Sequence, residues 1–210
     1  MLVASIAVAT VITSIMSLAV VSDAEDFLAD DMTDDAFEDA IGPLSSVQTM
    51  VSALTVGTAV VTMIWMFRLA ANLRRADRST TWNPLFAVFG WILPPILFVI
   101  PFLMLRELWK ASDLAAGADR WRSSRENVAL WVWFVVFGVL PTFVAAVQIE
   151  SLASRGLPAG DLESVAEGIR DSGSIGVVSG LLNVAAAVAW IMVVRQLTER
   201  HTTFTGERRS

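Results

Sequence analysis

Five stretches of the 210-residue chain carry no charged side chain: 1–22, 40–67, 79–105, 127–149 and 172–194. About 20 apolar residues cross the hydrocarbon of a bilayer, so each stretch is long enough to do so. Charged residues make up 17% of the chain, against about 25% in soluble domains. Too little chain is left between the stretches for a separate water-soluble domain. The pattern predicts an all-α, polytopic membrane protein forming a single membrane domain over 1–210.

The charges between the stretches are sorted by sign. Segment 22–46 holds nine acids and no base, and segment 149–172 holds five acids with Arg155 and Arg170. Segments 68–78, 106–126 and 195–210 hold the other thirteen bases. Lys and Arg collect in cytoplasmic loops and set orientation. If all five stretches cross, the better orientation places nine bases inside and six outside; if 79–105 enters and leaves on one side, thirteen lie inside and two outside. The charges therefore predict four transmembrane helices, at about 2–21, 47–67, 128–149 and 173–194, with a re-entrant or interfacial hairpin over 82–105. Loop 22–46 is then extracytoplasmic, and the N-terminus and the tail 195–210 are cytoplasmic. Five spans is the alternative.

The odd stretch is also odd in composition. Pro84, Pro94, Pro95 and Pro101 are four of the seven prolines; each lacks a backbone donor and, inside a helix, clashes with the preceding turn. Pro94-Pro95, shortly after Gly90, is where a hairpin would turn. The first stretch has no basic leader, and its apolar run exceeds the 7–15 residues of a signal peptide, so a retained anchor is expected. Trp65, Trp131, Trp133 and Trp190 sit near span ends expected at the cytoplasmic interface, where Trp is enriched. Ser5, Ala9, Thr13 and Ser17, and Gly176-x-x-x-Gly180, are small-residue stripes that let helices approach closely, within the fold or between copies. Asn183 is expected to bond across a helix interface. In the acidic segment, Leu28, Met32, Ala36, Phe37 and Ile41 form a helical stripe, while the D-x-[DN]-x-[DN]-G calcium loop is absent.

One region is more distinctive than the rest. It reads Arg68-Leu69-Ala70-Ala71-Asn72, then Gly90-Trp91-Ile92-Leu93-Pro94, Pro101-Phe102, Arg106-Glu107-Leu108-Trp109-Lys110-Ala111-Ser112, and Trp131-Val132-Trp133. The spacing resembles the actinobacterial domain of unknown function 4328 family, with its R-x-x-x-N stretch, its G-W-x-x-P…P-[YF] segment and its E-[LI]-W-[RK]-A-S end. The resemblance covers 65–133 well and implies a small multi-span membrane protein with no assigned activity. Leu97 stands where many members have Asn, and Phe102 where many have Tyr. Arg68, Asn72, Gly90, Trp91, Pro94, Pro101, Arg106, Glu107 and Trp109 are read as a structural or interaction motif. Arg106 is expected to begin a short amphipathic helix at the headgroup level. Glu107 is expected to pair with a base such as Arg68 or Arg75, pinning the hairpin to the second span.

There is no Cys and no Tyr, and the one histidine, His201, falls in the polar tail. Disulfides, thiolate sites and multi-His metal sites are excluded; no catalytic, cofactor-binding or metal-binding residue is assigned, and no cofactor. The predicted spans contain no charge that could form a proton relay. A nucleophile needs a positioned base, and the acids on the basic side, Glu107, Asp113, Asp119 and Glu126, belong to no such motif. The expected role is non-enzymatic: an accessory or assembly subunit of a bacterial plasma membrane acting through helix and headgroup contacts. A small channel or carrier for a lipophilic solute or lipid is the alternative, and a membrane enzyme acting on headgroups the third reading. Expected partners are the bilayer, anionic headgroups at Arg74, Arg75, Arg78, Arg120, Arg122 and Arg125, and other membrane proteins or a second copy. No nucleic-acid-binding module is present. Lys110 is the only Lys against fourteen Arg, a bias consistent with GC-rich bacterial codon usage.

Overall fold

The computed structural model describes residues 2–91, 98–117, 120–143 and 161–206. These are helical, with no strand among them. Helix α1 covers Leu2–Leu28, α2 Asp34–Arg75, α3 Phe86–Phe89 and α4 Val99–Ala111. A single 3₁₀ turn, Trp121–Ser123, precedes α5 (Val128–Trp133), which continues as a π-helix over Phe134–Val139, and α6 covers Leu162–Thr205. Three helices are long and apolar enough to cross a membrane: Ala7–Leu28 of α1, all of α2, and Gly176–Thr205 of α6. Val128–Phe143 is apolar but shorter. The rest of that expected span and the Pro94-Pro95 turn lie outside the described residues.

The long helices show their apolar residues outward. Ile12, Ile15 and Leu18 on α1, Val56, Val60 and Ile64 on α2, and Leu181, Val188 and Met192 on α6 are exposed. Only 6% of the most apolar stretch of α2 is buried. A water-soluble monomer rarely carries contiguous apolar surface on that scale, whereas hydrocarbon solvates it.

Helices α1 and α2 end alike. Asp30 (φ 61) and Asp77 (φ 55) are left-handed, a conformation that a short polar side chain tolerates better than most. The next N–H reaches five residues back, Asp31 to Asp26 O at 2.9 Å and Arg78 to Leu73 O at 3.0 Å, while Asp30 bonds Phe27 O and Asp77 bonds Arg74 O. Both are Schellman closures, which satisfy carbonyls the helix end would orphan. The acidic segment 22–46 is consequently helical on both sides of a turn, and not one helix across its apolar stripe from Leu28 to Ile41. Helix α1 runs on to Leu28, a tight turn follows, and α2 starts at Asp34 with Asp34 and Asp35 in its first turn and Arg74 and Arg75 in its last, the favourable sense for the helix dipole.

The chain gathers into two compact units, Met1–Val56 with Val139–Ala187 and Gly57–Gly138 with Val188–Ser210. In the first, Ala24, Phe37 and Ala166 form a buried core with Phe27, Met32 and Ile169 packed against it. The rings of Phe27 and Phe37 stack at 4.5 Å. There is also a close α1–α6 approach, since a Cβ on Gly180 would collide with Ser14. Of the two glycines only Gly180 is used this way; Gly176 has open space around it. Asn183 is exposed and makes no bond across an interface among the described residues.

The second unit is built on aromatic and aliphatic packing. Met66, Leu73, Met104, Leu105, Leu108, Leu130, Val193 and Leu197 are buried. The Trp190 ring lies 4.9 Å from Trp133 and 6.1 Å from Trp65. Trp133 and Trp190, expected at the interface, are thus core residues, while Trp131 stays exposed. The π-helix leads into Pro141, which cannot donate to the carbonyl four residues back, and π segments accommodate such a break in the ladder. Phe102 stacks on Phe134 at 4.2 Å within this aromatic cluster.

Candidate functional site

Four segments of the second unit meet through polar side chains: the turn after α2, the end of α4, the 113–127 connection and the end of α6. The Schellman closure of α2 turns Arg78 inward, where it is only 7% exposed. Arg78 Nη1 donates to Gly117 O at 2.8 Å, and Nη2 to Ala116 O at 2.7 Å and Asp113 O at 3.2 Å. Its guanidinium also lies 5.1 Å from the Phe204 ring centroid. A guanidinium is a planar fork of five donors, so one side chain gathers three carbonyls of a turn.

Helix α4 extends from Val99 to Ala111, so Arg106 to Lys110 close a helix and do not begin one. Nearly every residue of the R-E-L-W-K-A-S run has its own task. Arg106 and Lys110 both pair with Glu126, Lys110 at 2.7 Å. Glu107 accepts the backbone N–H of Thr81 at 2.6 Å and of Trp82 at 3.2 Å. Leu108 and Ala111 are buried. Trp109 Nε1 donates to Arg125 O at 2.9 Å, and its ring lies 4.4 Å under the Arg200 guanidinium. Ser112 Oγ and His201 Nδ1 are 3.1 Å apart, both residues buried. Arg200 completes the set, pairing with Asp113 at 2.7 Å and donating from Nε to Trp109 O at 3.1 Å.

Gly90, Trp91 and Pro101 of the upstream motif are packed into the fold as well. Gly90 is needed for close approach: a Cβ there would sit 2.7 Å from Ile100 Cγ2. Trp91 meets Trp133 edge-on at 6.3 Å, and Pro101 is buried in the first turn of α4, where a missing N–H costs nothing. At the start of α5, Asn127 accepts Ala129 N–H at 2.8 Å and donates to Gln196 Oε1 at 3.0 Å, an N-cap that also ties α5 to α6.

A run in which each residue fastens a different segment is a fold signature, and it coincides with the family match. A family model described as Domain of unknown function (DUF4328) matches residues 28–199. The chain belongs to that family. No curated protein and no solved structure matches it. The DUF4328 match extends well past 65–133, where the motifs lie, to α1's end and most of α6.

Several sequence expectations change at this site. Among the described residues Glu107 bonds the Thr81 and Trp82 backbone and not the guanidinium of Arg68 or Arg75. Arg78 is buried among carbonyls and is not free for a headgroup, whereas Arg122 donates to Ser79 O at 2.9 Å over the Trp121 ring and is still exposed. Arg74, Arg75, Arg120 and Arg125 remain exposed. The C-terminal tail is helical to Thr205, and His201 is 2% exposed within it. Pro94, Leu97 and Asp119 lie outside the described residues. The Arg200–Asp113 and His201–Ser112 contacts had no counterpart in the sequence reading, although Trp190, Val193, Leu197, His201 and Phe204 keep helical spacing.

Hydrogen bonds from Arg106 first, then from Lys110, outweigh the effect of partial burial and pull the Glu126 carboxyl down to about 2 from 4.5. A depressed carboxyl adds stability that is complete above its unfolded pKa and lost as pH falls toward the folded one. The melting temperature of the wild type should therefore exceed that of Glu126→Gln by a constant margin above about pH 4.5. That margin should shrink steadily as pH is lowered toward about 2. Melting in detergent at stepped pH checks this; a margin that does not change with pH removes the role assigned to this ion cluster.

Proposed function

We propose that this DUF4328 chain is a multi-pass protein of the bacterial plasma membrane with four spans, a re-entrant 82–105 segment and both termini cytoplasmic. It acts without chemistry of its own, as an accessory or assembly subunit. The observation that carries the reading is the Glu107 carboxylate on the N–H groups of Thr81 and Trp82. These residues bracket the proline-rich stretch, so its two ends lie side by side. A single crossing of about 20 residues would separate them by about 30 Å. Three of the carboxylates at this end support the non-enzymatic part, because Glu107 holds backbone, Asp113 holds Arg200, and Glu126 holds Arg106 and Lys110. A general base has to be free to take a proton.

Thiol mapping on this naturally Cys-free chain tests the topology. Ser79, Ala115 and Thr33 are exposed. Cysteines at Ser79 and Ala115 should both be shielded from an impermeant reagent in intact cells, and one at Thr33 should react. Opposite results at Ser79 and Ala115 would mean that the stretch crosses, and the four-span arrangement would fall.

A further inference from the structure

Among the described residues some cations meet a carboxylate or a carbonyl and others meet no carboxylate. Arg106, Lys110 and Arg200 are in ion pairs, and Arg78 and Arg122 donate to carbonyls. Arg68 and Arg75 differ: neither meets a carboxylate among the described residues. They stand seven residues apart on α2, about two turns or 10 Å, with Asn72 between them on the same face. With Phe67 and Ala71 they line a shallow groove, and Arg75 Nη1 leans on Asn72 Oδ1 at 3.5 Å. Upstream on that face, Val61 and Ile64 are exposed, as is the neighbouring Phe67. One strip of helix thus passes from bare apolar surface to two uncompensated guanidiniums.

The helix dipole does not account for both charges. Cations favour the last turn of a helix, which explains Arg75 but not Arg68 two turns earlier. The amphiphile that matches the strip has an acyl chain on one side of a phosphate. Guanidinium forks suit phosphate oxygens, and the Asn72 amide adds a donor. We infer that Arg68, Asn72 and Arg75 bind the phosphate of an anionic phospholipid whose chain lies along Ile64 and Val61. This rests on the membrane reading above, but its readout is bound lipid and not sidedness, so either can fail without the other.

The test is lipid retention by the purified full-length chain in detergent, titrated with phosphatidylglycerol or phosphatidylcholine and counted by native mass spectrometry. Phosphatidylglycerol should be retained in preference. The pair Arg68→Gln/Arg75→Gln should weaken it on the order of thirtyfold, about fivefold per guanidinium. Arg170→Gln, on α6 and paired with Asp171, should stay within about twofold, and millimolar inorganic phosphate should not displace the lipid. If the double variant does not fold, Arg68→Gln alone should still lose about fivefold. Unchanged retention in the Arg68 variants, equal retention of the two lipids, an equal loss in Arg170→Gln, or displacement by phosphate would each overturn the assignment.

Discussion

Replacing Arg78 by alanine is expected to lower stability by about 3 kcal/mol, since carbonyls lose a charged donor and an acceptor left unsatisfied costs about 1–3 kcal/mol. The reason is the number of groups that depend on it. Three carbonyls, of Asp113, Ala116 and Gly117, accept from this one guanidinium, and among the described residues only Gly117 O has a second donor, the Arg120 N–H at 3.2 Å. Their loss frees the turn that carries Asp113 toward Arg200. Exposed Arg74, four residues earlier, should cost no more than about 0.5 kcal/mol when changed to alanine. Thermal melting in one detergent compares the two. Equal shifts would mean that water serves the carbonyls as well as the arginine does.

Glu107→Ala should cost about 2 kcal/mol, because a charged acceptor is removed from two backbone donors. Asp113→Ala should cost less, since a partly exposed ion pair contributes about 0–1 kcal/mol. Glu107→Gln keeps one carbonyl acceptor and should recover part of the loss. The ordering, Glu107→Ala below Asp113→Ala and Glu107→Gln between them, is read from melting temperatures in detergent. Equal shifts for the two alanine variants would remove the idea that Glu107 fastens the proline-rich segment.

What could be read from the chain in advance was mostly which stretches are long and apolar enough to cross a membrane. The charge-free stretches at the N-terminus, before Arg68 and before Arg195 lie within the three long apolar helices. The ends of those helices were missed for one physical reason: a charge stops a membrane span but does not stop a helix. Helix α1 continues through Asp23, Glu25 and Asp26, and α6 continues past Arg195 and Arg200. Their true stops are Asp30, Asp77 and Gly206, all at positive φ, and an Asp at such a position has no distinctive mark in a sequence.

The motif was legible as a motif, and its partners were not. Glu107 answers to amide groups of Thr81 and Trp82, and Arg78 to carbonyls of a turn. Backbone groups occur at every residue, so no residue type announces them. His201 was readable in part, since its spacing from Val193 and Leu197 extends the buried face of α6. The charge of its neighbours hid that continuity.

The carbonyl-bound arginines bring a last consequence. A topology rule that counts positive charges treats Arg and Lys alike, yet Arg78, Arg122 and Arg200 each reach a main-chain oxygen while also lying against an aromatic ring. An ammonium group is a compact point charge and cannot hold both in that way. A chain rewritten with lysine at these three sites would carry the same positive charges and lack the clasps that these arginines make. At these three positions arginine thus has a mechanical reason of its own, since charge and closure rest on different properties of the same side chain.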